Sequence, residues 1–234
     1  YETKMELKNE FTEIQNLMCQ EAFQNHKLAS ARYQALFQWK PFSNQSTAWF
    51  DSDWMFGVKD GFDIIIGNPP YIGFHNVPNK EYNRLNYYTA NGKYDYYVVF
   101  IERGLQLSCK GGYLSFICPS YFYKRNYGRN TRDYLLKNTS IRYIADFSDY
   151  QVFESAQTYT CILGLQKVKS DNNKIRIFNE RLSFDNFHEI AQDSLCEPIW
   201  ILDKTDSNDI FEKVKKSART TFGDVTYSIS QGIV

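Results

Sequence analysis

The chain of 234 residues lacks several features that would assign it to a protein class at once. No apolar run approaches the roughly eighteen residues of a membrane span, so a membrane-spanning helix is excluded, and no secretory signal peptide opens the sequence. The five cysteines include no C-x-x-C pair, and their scatter indicates neither a disulfide framework nor a zinc site. Reduced thiols without a targeting segment predict a cytoplasmic protein.

Net charge is also absent, because 27 Lys and Arg residues are balanced by 27 Asp and Glu residues. Proteins that bind nucleic acid usually carry a basic excess, so the charge alone argues mildly against such a partner. The chain begins with Tyr1 rather than Met and ends at Val234 without a terminal tail. We therefore expect a piece of a longer protein, which need not share the charge balance of the whole.

Hydrophobic periodicity divides the chain into a helical lead-in and an alternation of strands and helices. Residues 4–37 are predicted to be helical and 42–60 to form a loop. The β-branched run at 62–66, between Gly61 and Gly67, predicts a strand covered on both faces. Further strands are predicted at 113–118, 141–147, 159–167 and 174–178, and helices at 94–108 and 130–138.

This order predicts an α/β fold, and it divides the chain into three parts. Residues 1–60 form a helical and loop lead-in, 61–168 carry the sheet, and 169–234 form a connector and the start of a further region. The pair Gly111-Gly112 is expected to stop the helix that precedes the second strand. In the last part, a helix is expected at 206–217 and a strand-like start at 224–230.

Asn68-Pro69-Pro70-Tyr71 directly follows the first predicted strand, at the end where open α/β sheets place their ligands. By chance, these four residues would occur in about one of several hundred chains of this length. A planar amino nitrogen, such as that of adenine, is a poor nucleophile because its lone pair is delocalised into the ring. Two acceptors on its two N–H bonds draw the nitrogen toward tetrahedral geometry and free the lone pair.

The four residues supply this chemistry. The Asn68 side-chain oxygen is predicted to be one acceptor, and the Pro69 carbonyl, held in a stiff double-proline turn with Pro70, is predicted to be the other. Tyr71 would stack on the face of the base. The competing interpretation is a rigid turn after a strand that has no catalytic role.

Phe-Asp-Ile-Ile-Ile-Gly-Asn-Pro-Pro-Tyr-Ile at 62–72 resembles the catalytic motif of S-adenosylmethionine-dependent amino methyltransferases, and its Asn-first form is typical of those that modify adenine in DNA. Residues 110–120 resemble the glycine-led strand of that family, and 144–163 its late aromatic-bearing motif. In Taq-type adenine methyltransferases a phenylalanine of the late motif packs on the flipped base opposite the motif tyrosine. Phe153 occupies the matching position here.

The resemblance covers about 60–168 and is strongest to fused type II (type IIG) restriction–modification enzymes. It implies part of a Rossmann-like methyltransferase sheet, S-adenosylmethionine as cofactor and double-stranded DNA as partner. The family holds its cofactor on a glycine-rich turn, yet no G-x-G occurs in this chain, and no acidic residue for the ribose can be located. We therefore expect 61–168 to be the catalytic half of a methyltransferase domain, inactive alone, with the main cofactor motif outside it, and 169–234 to be a connector and the beginning of a target-recognition domain.

Four basic residues follow the second motif and are interleaved with aromatic residues: Lys124, Arg125, Arg129 and Arg132. Beside a catalytic turn they would suit DNA phosphates. A solvated helix start accounts for them equally well. The three histidines are isolated from one another, and no metal site is predicted.

Two other functions fit parts of the pattern. Methyltransferases that modify the glutamine side-chain amide of release factors use the same four residues, because that nitrogen is planar too. Their chains end soon after the sheet, whereas this one continues from 168 to 234. A non-catalytic DNA-binding or assembly module of the same fold is the second alternative. A changed Asn68 or Tyr71 would indicate such a module, and both residues are intact.

Overall fold

The computed structural model forms two compact units, Tyr1–Lys59 and Asp60–Val234. It describes residues 2–25, 31–43, 50–147, 159–179, 186–195 and 199–202, together with positions 213, 216–220 and 224. Of the helix expected at 206–217, only positions 213, 216 and 217 are described, and they are helical. The strand-like start at 224–230 lies outside the described residues apart from position 224.

The first unit is helical. Helix α1 spans Glu2–Gln24 and α2 spans Ala31–Gln38. The two helices pack around the α1 ring of Phe11, which meets Trp39 edge-on with 5.2 Å between ring centroids. Within the described residues, the prediction of helix over 4–37 is confirmed.

The loop expected at 42–60 contains a short helix, α3 (Ser52–Phe56). It is closed by the Met55 amide, which donates to the Asp51 carbonyl at 2.9 Å, and by the Gly57 amide, which donates to the Asp53 carbonyl at 2.7 Å. The loop prediction is therefore wrong at this place. The sequence did not indicate this helix, because a helix this short shows no repeat in its hydrophobic pattern.

The second unit is built on a six-stranded sheet of order β1-β2-β4-β3-β5-β6. Strands β1, β2, β3 and β5 run parallel to one another, and β4 and β6 run antiparallel to them. The strands are β1 Phe62–Gly67, β2 Ser108–Pro119, β3 Ser140–Asp146, β4 Thr160–Gln166, β5 Lys174–Asn179 and β6 His188–Ala191.

Four helices of this unit lie between the strands: α4 Lys80–Asn86, α5 Tyr97–Leu107, α6 Tyr121–Lys124 and α7 Arg129–Asn138. The α/β class is thereby confirmed, with β1–α5–β2 as its parallel crossover. Strands β5 and β6 follow residue 168 and belong to the same sheet. Within the described ranges, no helix combines the length and apolar character needed to cross a membrane.

Two expectations about the first strands are wrong. Helix α5 ends at Leu107, and β2 begins at Ser108, so the glycine pair lies inside the strand rather than at the helix end. A Cβ on Gly112 would lie 2.8 Å from the Phe62 carbonyl oxygen, and the β1–β2 register shifts between Phe62 and Ile64. The glycines therefore allow a close, irregular approach of two strands.

Strand β1 was expected to be covered on both faces, but its side chains at Ile64 and Ile66 are 65% and 78% exposed. It lies at the edge of the sheet, and no strand of the described residues pairs with its outer side. Only Ile65 packs against the core from the centre of the strand. The apolar run thus marks a strand, but its burial depends on neighbours that the run itself does not reveal.

The parallel strands bring their carboxyl ends to one edge of the sheet, which we term the carboxyl edge. It comprises the residues that follow Gly67 in β1, Pro119 in β2 and Asp146 in β3, together with the start of β4 at Thr160. Helix α5 holds β2 in place from one face through its fully buried Ile101, which belongs to the same apolar core as Leu114 and Phe116.

Candidate active site at the carboxyl edge

The Asn68–Tyr71 turn leaves the sheet at the carboxyl edge, directly after Gly67 of β1. Asn68 is exposed, Pro69 is buried, and Tyr71 is half-buried. The Ile72 amide donates to the Pro70 carbonyl at 3.1 Å and closes the turn tightly. The turn therefore presents the Asn68 amide to solvent from a backbone that two prolines restrict.

Tyr71 is anchored to the neighbouring strand. Its hydroxyl donates to the Ile117 carbonyl of β2 at 3.3 Å. Burial raises the pKa of Tyr71, and the Cys118 and Cys161 thiols beside it raise the pKa further. The phenol is therefore neutral at physiological pH and stays a hydrogen-bond donor to the strand, which fixes one edge of its ring.

A second set of contacts holds the residues just after the turn. The Tyr96 amide, at the start of α5, donates to the Ile72 carbonyl at 2.8 Å. A Cβ on Gly73 would lie 3.7 Å from Oδ1 of Asp95, and Oδ2 of the same carboxylate accepts the Tyr127 hydroxyl at 2.6 Å. The turn is thus tied both to α5 and to the 3-10 turn between α6 and α7.

Sequence reasoning missed this support. Asp95 and Tyr127 are far apart in the chain, and no motif joins them. The hydroxyls of Tyr97 and Tyr127 also lie 3.1 Å apart, so the carboxylate anchors a chain of two phenols. Only the high tyrosine content signalled that such hydroxyl groups needed buried partners.

The basic segment after β2 divides into two groups. Lys124 pairs with Asp146 at the end of β3 at 3.1 Å, and the Arg125 guanidinium stacks over the Tyr121 ring at 4.3 Å from its centroid. Arg129 opens α7 and is exposed. These three cations lie on the surface of the elements that follow β2 and β3.

Arg132 differs from the other three. It is fully buried, and its Nη1 donates to the carbonyls of Phe122 at 2.6 Å and Arg125 at 2.9 Å. A guanidinium enclosed in this way cannot reach a phosphate, so the prediction that Arg132 contacts DNA is wrong. Its apolar stem and fork instead hold the α6 segment against α7.

The arrangement offers acceptors beside a flat ring at one open edge. The exposed Asn68 amide supplies a side-chain oxygen, and the Tyr71 ring stands close to it in a fixed orientation. No group of three or more His, Cys, Asp or Glu side chains within the described part of the chain could hold a metal ion. The chemistry that these residues support is therefore the polarisation of N–H bonds on a planar substrate.

The described residues do not by themselves fit the S-adenosylmethionine site that the resemblance implies. Ahead of β1 they form the helices α1, α2 and α3, without a strand or a glycine-rich turn. Strand β1 has no described neighbour at its outer edge, and the face of the sheet that carries Ile64 and Ile66 is exposed. Phe153, the proposed second wall of the base site, lies outside the described residues.

The stability of this region is expected to fall in alkaline solution. Burial is the main cause that raises the pKa of Tyr71, Tyr97 and Tyr127 above the ordinary tyrosine value of about 10. The folded chain then holds these protons more tightly than the unfolded chain does, so the free energy of unfolding decreases as the pH rises above about 10.

Urea unfolding between about pH 8 and pH 11 measures this decrease. We expect Tyr127→Phe to flatten it, with Tyr113→Phe, an exposed ring on β2, as the matched control. An equal pH dependence in the wild type and Tyr127→Phe would contradict the assignment.

Comparison with known proteins places these features in context. The family model described as Eco57I restriction-modification methylase matches residues 2–153. The type II restriction enzyme and methyltransferase RM.Eco57I of Escherichia coli is 32% identical over 163 residues, which cover 64% of this chain and 16% of that protein. The type II methyltransferase M.BstVI of Geobacillus stearothermophilus is 34% identical over 119 residues, covering 49% and 21%.

Among solved structures, a nuclease-deletion mutant of the Type ISP restriction-modification enzyme LlaGI, in complex with a DNA substrate mimic, superposes with a TM-score of 0.45. It is 20% identical, and the match covers 62% of this chain and 18% of that one. The chain thus spans a quarter or less of the length of the curated relatives named above.

Proposed function

The chain belongs to the Eco57I restriction-modification methylase family, and from this premise we propose that it carries the catalytic residues of a DNA methyltransferase acting on the exocyclic amino group of adenine. The observation that supports the proposal is the Asn68–Tyr71 turn at the carboxyl edge, with Asn68 exposed and Tyr71 bonded to Ile117. A turn without a catalytic role would not require an exposed amide beside an anchored aromatic ring.

In this proposal the turn activates the nitrogen. The Asn68 side-chain oxygen accepts one N–H of the adenine amino group, and the Pro69 carbonyl accepts the other. The nitrogen lone pair then leaves conjugation with the ring and becomes nucleophilic. In the methylated product one N–H bond would be replaced by an N–C bond: the S–CH3 bond of the donor sulfonium would break to leave a neutral thioether, and the displaced proton would pass to solvent water. S-adenosylmethionine is the methyl donor that the family resemblance implies.

The base must leave the duplex to reach this edge, because its amino group is otherwise stacked and paired. We assign Tyr71 to one face of the extruded base and Phe153 to the other. Lys124, Arg125 and Arg129 are surface cations, and we assign them to the binding of DNA phosphates. The names of the relatives, all restriction-modification methyltransferases, support double-stranded DNA as the partner.

The proposal is tested with the product of the complete reading frame, radiolabelled S-adenosylmethionine and a mixed-sequence plasmid. We expect label in the DNA and N6-methyladenine in its nuclease digest by mass spectrometry. Label in a protein substrate, with unmodified DNA, would favour the glutamine amide alternative. Label on cytosine would overturn the assignment to adenine.

The chain of 234 residues is expected to bind S-adenosylmethionine weakly or not at all, because the described residues form no glycine-rich turn ahead of β1. Isothermal titration calorimetry of the chain measures the affinity directly. A low-micromolar dissociation constant, equivalent to about −8 kcal/mol, would show that the cofactor site is complete within these residues.

A further inference from the structure

The segment between the Asn68–Tyr71 turn and α5 has a basic character that the whole chain lacks. Residues 72–96 contain three cations, Lys80, Arg84 and Lys93, and two acidic residues, Glu81 and Asp95. Three minus two leaves this segment at +1, whereas the chain as a whole is neutral. A local excess of this sign complements the phosphate backbone of DNA.

Helix α4 within this segment exposes two large side chains on one face. Leu85 is 85% exposed, more than any other large hydrophobic side chain of the described residues, and Tyr82 is 59% exposed. Residues three apart on a helix are neighbours, so the leucine and the tyrosine form one projecting surface. We term this surface, with Lys80 and Arg84 beside it, the α4 wedge.

The α4 wedge is held firmly from beneath. Phe74 packs edge-on against the fully buried Tyr94 with 6.1 Å between ring centroids. The Lys80 ammonium lies 5.0 Å and the Arg84 guanidinium 5.6 Å from the centroid of Phe74. The buried Asn83 amide donates to the Pro78 carbonyl at 2.9 Å. Exposed side chains on a supported helix lose little entropy on binding.

The wedge also lies close to the turn along the chain. Phe74 follows Gly73 directly, and the preceding residue, Ile72, is bonded through its carbonyl to the Tyr96 amide. Both ends of the 72–96 segment are thus attached at the carboxyl edge. A DNA duplex placed to deliver a base to Asn68 would meet α4 beside that site.

We propose that the α4 wedge enters the DNA stack next to the extruded base, with Leu85 and Tyr82 contacting the neighbouring base pairs and Lys80 and Arg84 neutralising the phosphates. The inference rests on the proposed function. Proteins that open base steps insert apolar side chains such as leucine to offset the cost of unstacking. The wedge supplies such side chains on a helix whose two cations lie over Phe74, and within the described residues Leu85 and Tyr82 remain exposed.

The test uses two fluorescein-labelled duplexes of one mixed sequence, one intact and one with a single abasic site, bound to the product of the complete reading frame. An abasic site removes part of the unstacking cost, so a wedge should prefer it. We expect about fivefold tighter binding to the abasic duplex, a fraction of the few kcal/mol that one step costs to unstack. In the double variant Leu85→Ala with Tyr82→Ala the preference should fall below about twofold.

The matched control is Ile64→Ala with Tyr113→Ala, which removes two similarly exposed side chains from the sheet and should leave the preference intact. Circular dichroism checks that α4 variants fold, and alanine maintains the helix. In the variant Lys80→Ala with Arg84→Ala, the slope of log K for DNA binding against log salt concentration should become less steep by about 1.8, the value for two phosphate contacts.

The outcomes distinguish a failure of the proposed DNA partner from a failure of the α4 wedge. If the product of the complete reading frame binds neither duplex, the proposed DNA partner fails and the wedge with it. If it binds both duplexes equally, or if the double variant keeps the wild-type preference, only the wedge is overturned. An unchanged salt slope in the cation variant would remove Lys80 and Arg84 from the interface.

Discussion

In the product of the complete reading frame, we expect Asn68→Ala to lower the methyl-transfer rate about 100- to 1,000-fold and to retain the affinity for duplex DNA. The substitution removes one of the two acceptors that draw the amino nitrogen out of conjugation. Removing one preorganised polar group from a comparable site costs about 2.7–4 kcal/mol of transition-state stabilisation. Binding of the duplex depends mainly on phosphate contacts elsewhere, so it changes little.

Tritium transfer from S-adenosylmethionine to DNA measures the rate, and fluorescence anisotropy measures the affinity. The matched control is Asn91→Ala, an exposed asparagine in the loop before α5, which should leave both unchanged. If Asn68→Ala kept most of its methyl-transfer activity, its assigned role as an acceptor would be wrong. A parallel loss of DNA affinity would point instead to a role in placing the duplex.

Arg132→Ala is expected to lower the free energy of unfolding by about 3 kcal/mol or more. The buried guanidinium donates to the carbonyls of Phe122 and Arg125, and a hydrogen bond from a charged donor contributes about 1.5–3 kcal/mol. The variant also leaves a cavity between α6 and α7, which adds to the loss. Arg132→Lys should recover only part of it, because lysine lacks the forked guanidinium.

Arg129→Ala provides the contrast within the same helix. Its side chain is exposed, so the free energy of unfolding should change by less than about 0.5 kcal/mol. The slope of log K for DNA binding against log salt concentration should become less steep by about 0.9, the value for one phosphate contact. Urea unfolding and salt titrations separate the two effects. A stable Arg132→Ala protein that had lost DNA affinity would contradict the structural role assigned to Arg132.

The sequence sufficed to predict β1 through β5, the helices α5 and α7 and the Asn68–Tyr71 segment as a turn, because these depend on local rules, whereas α3, α4, α6 and β6 were not predicted. Apolar periodicity located β1 through β5 within one or a few residues of their ends, apart from the start of β2. Two adjacent prolines after a strand could form little other than a rigid turn. The position of Asn68 at a carboxyl edge followed from the α/β order alone.

The features that the sequence did not reveal depend on contacts between distant segments. Ile64 and Ile66 are exposed because no described residues bury their face of β1, and the residues of the strand do not reveal whether a face is covered. From the sequence alone, Arg132 cannot be distinguished from the three surface cations near it. The structure shows that it is buried and bonded to carbonyls of α6 and the following turn. The link from Asp95 to Tyr127 is likewise a product of packing, since each residue is ordinary in its own segment.

The place of β4 in the sheet has a consequence for the order of folding during synthesis. Strand β4 lies between β2 and β3, although both precede it in the chain. A nascent chain that has not yet released residue 160 therefore exposes two unpaired strand edges at what becomes the centre of the sheet, where edge-to-edge association is a hazard. The pairing of β4 with β2 and β3 joins segments that are distant in the sequence, and such contacts form slowly during folding. Ribosomal pausing before β4 should thus favour aggregation, whereas a pause after β4 should not.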